Sequence, residues 1–491
     1  MRFKGAAIIP RRVSLGTFDN PLRVAVVGSG PAGFYTAGHL LADKELAIEV
    51  DMFDRLPTPF GLVRGGVAPD HQRIKSVTRV YDKIAGHPEF RFYGNVEMGR
   101  DITHADLSAY YHAIVYAVGA RTDRRMGIPR EHLPGSHSAT EFVGWYNAHP
   151  DFRSLGFDLT SRSAAVVGNG NVAMDLARIL ASPRDVLAQT DIAEHALHAL
   201  EDNGIREIHI LGRRGPAQAA FTNKELKELG ELPGVDVIVD PADVALDPLS
   251  ASAVEQTPNR TRDRNLDLLR EFSERPETGA ARRIVLHFLV SPVEIIGTER
   301  VEGLAIVHNE LYESEDGSIR ARPTDRVTTV PLGLVFRAIG YQGMPLPGIP
   351  FDAMRGVIPN ERGRIIDPVS GGTVEGEYVV GWIKRGPQGI IGTNKPDSQE
   401  TVDSLLDDLS SGNLHKQEVP PRAVLERLLS ERRRDFVSYE DWQLIDVLEQ
   451  ERGRASGAPR VKFSKVEEML HALQERKLAA AEEGRAEADE G

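Results

Sequence analysis

The chain has 491 residues, of which 41% are hydrophobic and 27% charged, as in an ordinary globular protein of two to three domains. Its net charge of −13 argues against general nucleic-acid binding, and no apolar run approaches the roughly 18 residues of a membrane helix. The absence of cysteine excludes disulfides, thiolate-ligated iron–sulfur clusters and redox dithiols, and no metal site is predicted. Any redox chemistry must therefore be carried by bound organic cofactors.

The N-terminal stretch is basic. The first 18 residues contain no acidic residue and lack the apolar core of a secretory signal. We expect a cytoplasmic protein, with a transit peptide as the alternative.

The first predicted strand–turn–helix contains the motif VVGSGPAG. Gly28 allows the tight turn, Gly30 lets the backbone approach a pyrophosphate, and Gly33 lets the helix pack on the strand. Asp54 ends the next strand, 21 residues after Gly33, where a carboxylate binds ribose hydroxyls. The unit runs from Arg23 to about Gly119, and its position in the chain favours FAD over NAD.

The second unit opens near Ser161 with VVGNGNVAMD, in which Gly168, Gly170 and Ala173 hold the glycine positions. Its later strand ends in Arg213 and Arg214, where an NAD-binding fold carries an acid. Two guanidinium groups suit a 2′-phosphate, so NADPH is preferred over NADH. The spacing from Ala173 to Arg213 is 40 residues, longer than the usual 20 or so, because of an inserted helical stretch, residues 182–204.

The rest of the chain continues the α/β alternation. Residues 241–279 predict helix and loop, and strand-like segments return at 282–290, 303–311 and 332–340. A buried strand, Tyr378 to Val380, precedes a glycine-rich loop and a helix containing residues 401–409. The last 80 residues are helical and charged, and the Ala/Glu-rich tail after Lys477 predicts disorder or a frayed helix.

Six long strings resemble one family, that of adrenodoxin reductase and the actinobacterial NADPH–ferredoxin reductases. They are VVGSGPAG, LPTPFGLVRGGVAPDH, FVGWYNAHP, VVGNGNVAMDLARIL, ILGRRGPAQAAFTNKEL and VVGWIKRGPQGIIGTNKPD, and the likeness extends to VSYEDWQLIDVLE near the C-terminus. The resemblance implies two Rossmann-like domains of the glutathione-reductase type. The FAD-binding domain would be discontinuous, formed by residues 1–122 and 339–491, around an NADP-binding domain of residues 123–338.

The resemblance also implies which residues bind the two cofactors. For FAD these would be Ala32, Asp54, Leu62, Met98, Trp382 and the backbone of Gly389, Ile390 and Ile391. For NADP they would be Asn169, Gly170, Asn171, Val172, Arg213, Arg214, Glu225 and Gly389, with Arg124 as a further position on the cofactor side. Asp54 departs from the Glu that relatives often carry.

The activity implied is electron transfer from NADPH through noncovalent FAD to an iron–sulfur protein, which could feed a cytochrome P450. A flavin accepts a hydride and gives up single electrons, which matches the two carriers. His71, at a predicted helix start, is the candidate proton relay or orienting group, with Glu228 as its partner; a structural histidine is the alternative. Lys224 and Lys227 match basic positions of the ferredoxin-docking face, although a solvated helix side would look the same.

Other functions remain open from the residues alone. A flavin disulfide reductase shares the two-nucleotide architecture but needs a redox dithiol, which this chain lacks. A redox-inactive nucleotide-binding scaffold and an electron-input flavoprotein for another enzyme are the alternatives that remain.

Overall fold

The structure is a computed structural model that describes residues 14–416, 418–433 and 435–490. Most of the segment to which the transit-peptide alternative refers, residues 1–13, lies outside the described residues. None of the described helices combines the length and apolarity needed to cross a bilayer.

The described strands follow one another along the whole α/β part of the chain. They are β1 Leu22–Val27, β2 Ile48–Phe53, β3 Phe90–Tyr93, β4 Ala113–Tyr116, β5 Thr122–Asp123, β6 Ser136–Ser138, β7 Ser163–Val167, β8 Glu207–Leu211, β9 Val235–Val239, β10 Arg282–His287, β11 Val290–Ile296, β12 Gly303–Glu313, β13 Ile319–Pro331, β14 Leu334–Arg337, β15 Tyr341–Gln342, β16 Asn360–Glu361, β17 Arg364–Ile366 and β18 Thr373–Val379.

The described helices alternate with these strands and dominate the C-terminal part. They are α1 Pro31–Leu41, α2 Leu62–Gly65, α3 Gln72–Lys75, α4 Thr78–Ala85, α5 His104–Tyr110, α6 Ala139–Tyr146, α7 Asn171–Ala181, α8 Arg184–Leu187, α9 Glu194–Glu201, α10 Asn223–Gly230, α11 Pro241–Val244, α12 Pro248–Gln256, α13 Arg260–Glu274, α14 Trp382–Arg385, α15 Asn394–Ser410, α16 Arg422–Arg432, α17 Tyr439–Ser456 and α18 Val466–Glu490. The Ala/Glu-rich tail belongs to α18, which agrees with the helical alternative predicted for it.

The first sheet is built from both ends of the chain. Its seven strands run in the order β16-β17-β18-β4-β1-β2-β3, with parallel pairing from β18 to β3. The apolar run of β1 is buried on both faces, as expected for the centre of a parallel sheet. We call this sheet and its helices the first unit. Because its strands come from both ends of the chain, the prediction of a discontinuous domain is confirmed.

The second sheet has six strands in the order β6-β14-β7-β8-β10-β9. Every pairing in it is parallel, and α7 and α10 contribute buried residues to its apolar core. We call this sheet and its helices the second unit. Together the two units confirm the predicted α/β class with two Rossmann-like sheets.

The structure differs from the sequence prediction between 282 and 331. The predicted strand 282–290 is broken at Leu289, whose φ of +53° turns the chain, so that β10 and β11 enter different sheets. β11, β12 and β13 form a separate antiparallel sheet. β13 was not predicted, because it is largely exposed along its whole length and lacks the apolar alternation of a half-buried strand.

The chain crosses between the two units twice, and the crossings are tied together. β5 and β15 pair antiparallel as a two-stranded sheet, and the Arg124 amide donates to the Gly340 carbonyl oxygen at 3.1 Å. The two connections therefore act as one short double linker.

Candidate functional site

A cavity of about 600 Å³ lies where the carboxyl ends of the first sheet's strands meet the second unit. Its position agrees with the rule that open parallel sheets bind ligands beyond their carboxyl ends. The predicted site residues that line it are Gly28, Gly30, Ala32, Asp54, Leu62, His71, Met98, Asn171, Val172, Glu225, Trp382, Ile390 and Ile391. Residues from both glycine motifs thus share one cavity.

The first glycine turn has the geometry that the motif predicts. Gly28 has a φ of +110°, and a Cβ on it would lie 2.5 Å from the Ala117 carbonyl oxygen. A Cβ on Gly33 would lie 2.1 Å from the Gly28 carbonyl oxygen, so that residue packs the helix on the turn and does not line the cavity. A Cβ on Gly30 meets nothing within 4 Å. The turn therefore leaves an open cradle at the amino end of α1, which fits a pyrophosphate.

Asp54 closes this turn from the end of β2. Its Oδ2 accepts hydrogen bonds from the Ser29 amide at 3.0 Å and the Ser29 hydroxyl at 2.6 Å, and its Oδ1 accepts from the Leu56 amide at 3.0 Å. The carboxylate is therefore held at the cavity wall with acceptor capacity left for ribose hydroxyls.

The C-terminal segment brings Trp382 and the glycine-rich loop to the same cavity. The Trp382 indole N–H donates to the Gln388 carbonyl oxygen at 3.1 Å, and its ring lies 5.2 Å from that of Tyr341. Ile390 and Ile391 line the cavity just before α15, whereas Gly389 does not. The amino end of α15 consequently faces the cavity with its positive dipole.

The second glycine turn repeats the first. Gly168 has a φ of +125°, and a Cβ on Gly170 meets nothing within 4 Å. Between them, the Asn169 side-chain Nδ2 is buried and has no hydrogen-bond partner among the described residues. A buried amide donor without an acceptor beside an open turn fits a phosphate or ribose ligand. Asn169 and Gly170 nevertheless lie outside the cavity lining.

Arg213 and Arg214 follow β8 on the surface beside the second turn. Both are exposed, and neither guanidinium forms an ion pair within the described part of the chain. Their backbone is fixed, because the Arg213 carbonyl oxygen accepts from Asn309 Nδ2 at 3.0 Å and the Arg214 carbonyl oxygen from the Leu289 amide at 3.2 Å. The pair and the exposed Arg124 lie outside the cavity lining, so the predicted NADP contacts extend from the cavity onto the surface.

His71 is the N-cap residue of α3 and lines the cavity, as predicted. Its side chain also contacts the second unit. Its Nε2 donates to Glu228 Oε2 at 2.8 Å and lies 3.7 Å from Glu225 Oε2, while its Nδ1 lies 3.8 Å from Asp175. Glu228 itself lies outside the cavity lining. The imidazole thus connects the cavity with carboxylates on α7 and α10.

The two glutamates beside His71 have opposite pKa shifts. Burial, and next the charge of Asp175, raise the pKa of Glu225 to about 8. Burial also acts to raise the pKa of Glu228, but the hydrogen bond with His71 and the charges of His71 and Arg178 outweigh it and lower that pKa. The two carboxyl groups are therefore shifted in opposite directions, Glu225 towards the protonated and Glu228 towards the ionised form, an arrangement typical of acid and base roles.

Sequence reasoning missed the residues that organise this cluster. The Arg178 guanidinium donates to Asp70 at 2.7 Å, to Asp175 at 2.7 Å and to Glu225 at 3.1 Å, and it is almost fully buried. The spacing of Asp175 and Arg178 on one helix face was the available signal.

A second missed group, Arg55 with Asp151 at 2.9 Å, lines the cavity next to Asp54.

Comparison with known proteins gives consistent matches. The family model described as pyridine nucleotide-disulphide oxidoreductase matches residues 22–208. NADPH-ferredoxin reductase FprA of Mycobacterium leprae is 48% identical over 453 residues, 91% of this chain and 97% of that protein. The mitochondrial NADPH:adrenodoxin oxidoreductase of Bos taurus is 43% identical over 469 residues, 93% of each chain. The structure of Mycobacterium tuberculosis FprA in complex with NADPH superposes with a TM-score of 0.88 at 46% identity, covering 93% of this chain and 100% of that one.

Proposed function

The chain belongs to the family of NADPH–ferredoxin reductases that includes adrenodoxin oxidoreductase, and we propose that it passes electrons from NADPH through FAD to a ferredoxin or related iron–sulfur protein. The observation that carries this function is one cavity lined by residues of both glycine motifs, in a chain without cysteine. The chain can therefore carry out the pyridine-nucleotide chemistry of the broader family, but it cannot carry out the disulfide chemistry, which needs cysteine.

FAD, when bound, supplies the conversion of one hydride into two single electrons. The residues that would hold it are those of the first turn, Asp54, Leu62, Met98, Trp382 and the backbone of 389–391. We propose the domain boundaries 1–122 and 339–491 for its domain and 123–338 for the NADP-binding domain. The amino ends of α1 and α15 both face the cavity and favour bound anionic charge.

NADPH would be held by the second glycine turn and by positively charged side chains. Asn169 supplies the amide donor that has no partner among the described residues, and Arg213 and Arg214 supply two exposed guanidinium groups for a 2′-phosphate. The raised pKa of Glu225 favours its protonated form, which can donate a hydrogen bond to a carbonyl group inside the cavity. Arg124 and Gly389 complete the proposed contacts.

His71 and Glu228 would act as the proton relay during flavin reduction. The hydrogen bond between His71 Nε2 and Glu228 Oε2 places an exchangeable proton on a residue that lines the cavity. Lys224 pairs with the other oxygen of Glu228 at 3.3 Å and so holds its carboxylate in place.

The central test is anaerobic titration of the purified protein. We expect a yellow protein whose flavin absorbance bleaches with NADPH far more readily than with NADH and returns on addition of an acidic ferredoxin. A colourless protein that takes up no FAD would support the nucleotide-binding scaffold instead. Bleaching without reoxidation by any ferredoxin would support an electron-input flavoprotein for another enzyme.

We propose a cytoplasmic location, where NADPH is supplied.

For the ferredoxin we propose docking on the exposed face of α10, through Lys224 and Lys227. Each lysine pairs with a glutamate one turn later, Lys227 with Glu231 at 3.5 Å, so α10 alone carries little net charge. α13 packs beside it through Asn223 and Asn265, at 2.7 Å. Its Arg264 is exposed and forms no ion pair among the described residues, and we propose that this arginine and the two lysines meet the acidic partner on this face.

Lys227→Glu should lower kcat/KM for ferredoxin about fivefold at low ionic strength, because reversing a rim charge slows association. The difference should vanish at high salt. Ferricyanide reduction by NADPH should stay unchanged, since Lys227 lies outside the cavity lining. The matched control is Lys465→Glu, which reverses an exposed lysine on the C-terminal segment. Equal effects of the two variants would remove α10 from the docking face.

A further inference from the structure

The inserted stretch 182–204 has a structural role at the contact between the two units. It folds as α8 and α9, and between them Asp191 is buried with 2% of its surface exposed. Its Oδ1 accepts from Lys75 Nζ at 2.7 Å and its Oδ2 from Lys462 Nζ at 3.1 Å. Lys75 ends α3 of the first unit, and Lys462 lies in the C-terminal segment between α17 and α18. One carboxylate of the second unit therefore binds two separate segments of the chain.

Lys462 also reaches the wall of the cavity. Its Nζ donates to the Arg64 carbonyl oxygen at 3.2 Å, to the Asn147 carbonyl oxygen at 3.4 Å and to Asn147 Oδ1 at 3.3 Å. Arg64 and Asn147 both line the cavity, the first from α2 of the first unit and the second from the end of α6 of the second. The ammonium group thus joins the two walls between which the nucleotides would lie.

The charge at this cluster is unbalanced, since two lysines, the buried Lys462 and the largely buried Lys75, face one buried aspartate. The neighbouring groups offset one another, because Arg64 pairs with Glu449 at 2.8 Å and Arg460 pairs with Asp446 and Glu449. Burial lowers the pKa of both lysines, and the charge of Lys75 adds to the lowering at Lys462. Either lysine alone would neutralise Asp191, so the second is not required for charge balance.

We propose that Lys462 is a positioning residue that fixes the second unit against the first, and thereby the separation of NADPH and FAD across the cavity. This inference rests on the proposed function. Asp191, supplied by the insertion, is its anchor in the second unit. A small displacement of reacting groups is enough to slow a transfer step without loss of binding.

The test compares Lys462→Met with the wild-type holoenzyme. Removing Lys462 leaves a balanced Lys75–Asp191 pair, so we expect thermal stability and FAD content close to wild type. Flavin reduction by NADPH in stopped flow should slow about fivefold, while ferricyanide reoxidation of dithionite-reduced flavin stays unchanged. Amide hydrogen exchange across 145–149 and 188–193 should become about tenfold faster, because the wall is no longer held.

Two further variants separate positioning from packing. Lys75→Met also leaves one lysine for Asp191 and removes the contact of Lys75 Nζ with Asn147 Oδ1 at 3.4 Å, but it keeps the contacts of Lys462 with Arg64 and Asn147, so flavin reduction should slow less than twofold. Lys465→Met, three residues on and half-exposed, should match wild type in every assay. If Lys462→Met does not fold, Lys462→Gln replaces it and is judged by the same criteria.

The proposal is overturned if Lys462→Met reduces its flavin within twofold of wild type, or if Lys75→Met slows reduction equally. Failure of the proposed function has a different signature, because the wild type itself would then not be bleached by NADPH. In that case hydrogen exchange alone decides: unchanged exchange at 145–149 in the variant would remove the positioning role.

Discussion

Replacing Arg213 and Arg214 together with alanine should lower kcat/KM for NADPH about 100-fold and leave kcat/KM for NADH within about threefold. A charge-assisted hydrogen bond contributes roughly 1.5 kcal/mol or more, and two lost guanidinium contacts to a 2′-phosphate therefore cost about 3 kcal/mol. NADH has no 2′-phosphate, so its use depends on the second turn alone. Both arginines are exposed and free of ion pairs within the described residues, and their removal leaves no buried charge unpaired.

The matched control for that pair is Arg206→Ala. Arg206 is exposed just before the opposite, amino end of β8, away from the second glycine turn. Steady-state kinetics with both nucleotides should leave it unchanged. An unaltered NADPH/NADH preference in the double variant would assign the 2′-phosphate to other groups, with Arg124 as the next candidate.

Replacing His71 with alanine should slow flavin reduction by NADPH between tenfold and 100-fold while FAD stays bound. His71 is the cavity residue that shares a proton with Glu228, and its loss leaves that carboxylate without its strongest partner. Stopped-flow absorbance measures the rate, and the protein's retained yellow colour measures FAD content. A normal reduction rate would make His71 structural.

Glu228→Gln distinguishes a proton role from a structural one. The amide keeps a hydrogen bond to His71 Nε2 but cannot take up the proton. If the pair only holds α3 against α10, this variant should behave as wild type. If the pair moves a proton, the rate of flavin reduction in this variant should approach that of His71→Ala.

The parts of the fold that follow local sequence rules were predictable. Both glycine turns, Asp54 at the end of β2 and His71 at the start of α3 lie where spacing placed them, because these features depend on adjacent residues. Contacts between distant segments were not predictable in this way. The local sequence does not show that Asp70 pairs with Arg178. It also does not show that Asp191, in the insertion, pairs with two lysines that lie far apart in the chain.

The strand β13 was missed for a different physical reason. Its side chains face solvent for most of its length, so pairing to β12 rather than burial of an apolar face defines it. Most of the cofactor-binding residues that the resemblance named line the cavity, but the resemblance could not tell which of them lie inside it. The structure separates them, with Arg213, Arg214 and Arg124 on the surface and Glu225 buried.

The construction of the first sheet from both chain ends has a consequence for synthesis on the ribosome. β4 pairs with β1 on one side and with β18 on the other, and β18 begins 257 residues after β4 ends. During translation β4 therefore presents an unpaired strand edge while the whole second sheet emerges, a state in which chaperones protect nascent chains from aggregation. The wall of the cavity formed by Trp382 and Ile391 arrives later still. FAD capture must accordingly be among the last events in the maturation of the protein.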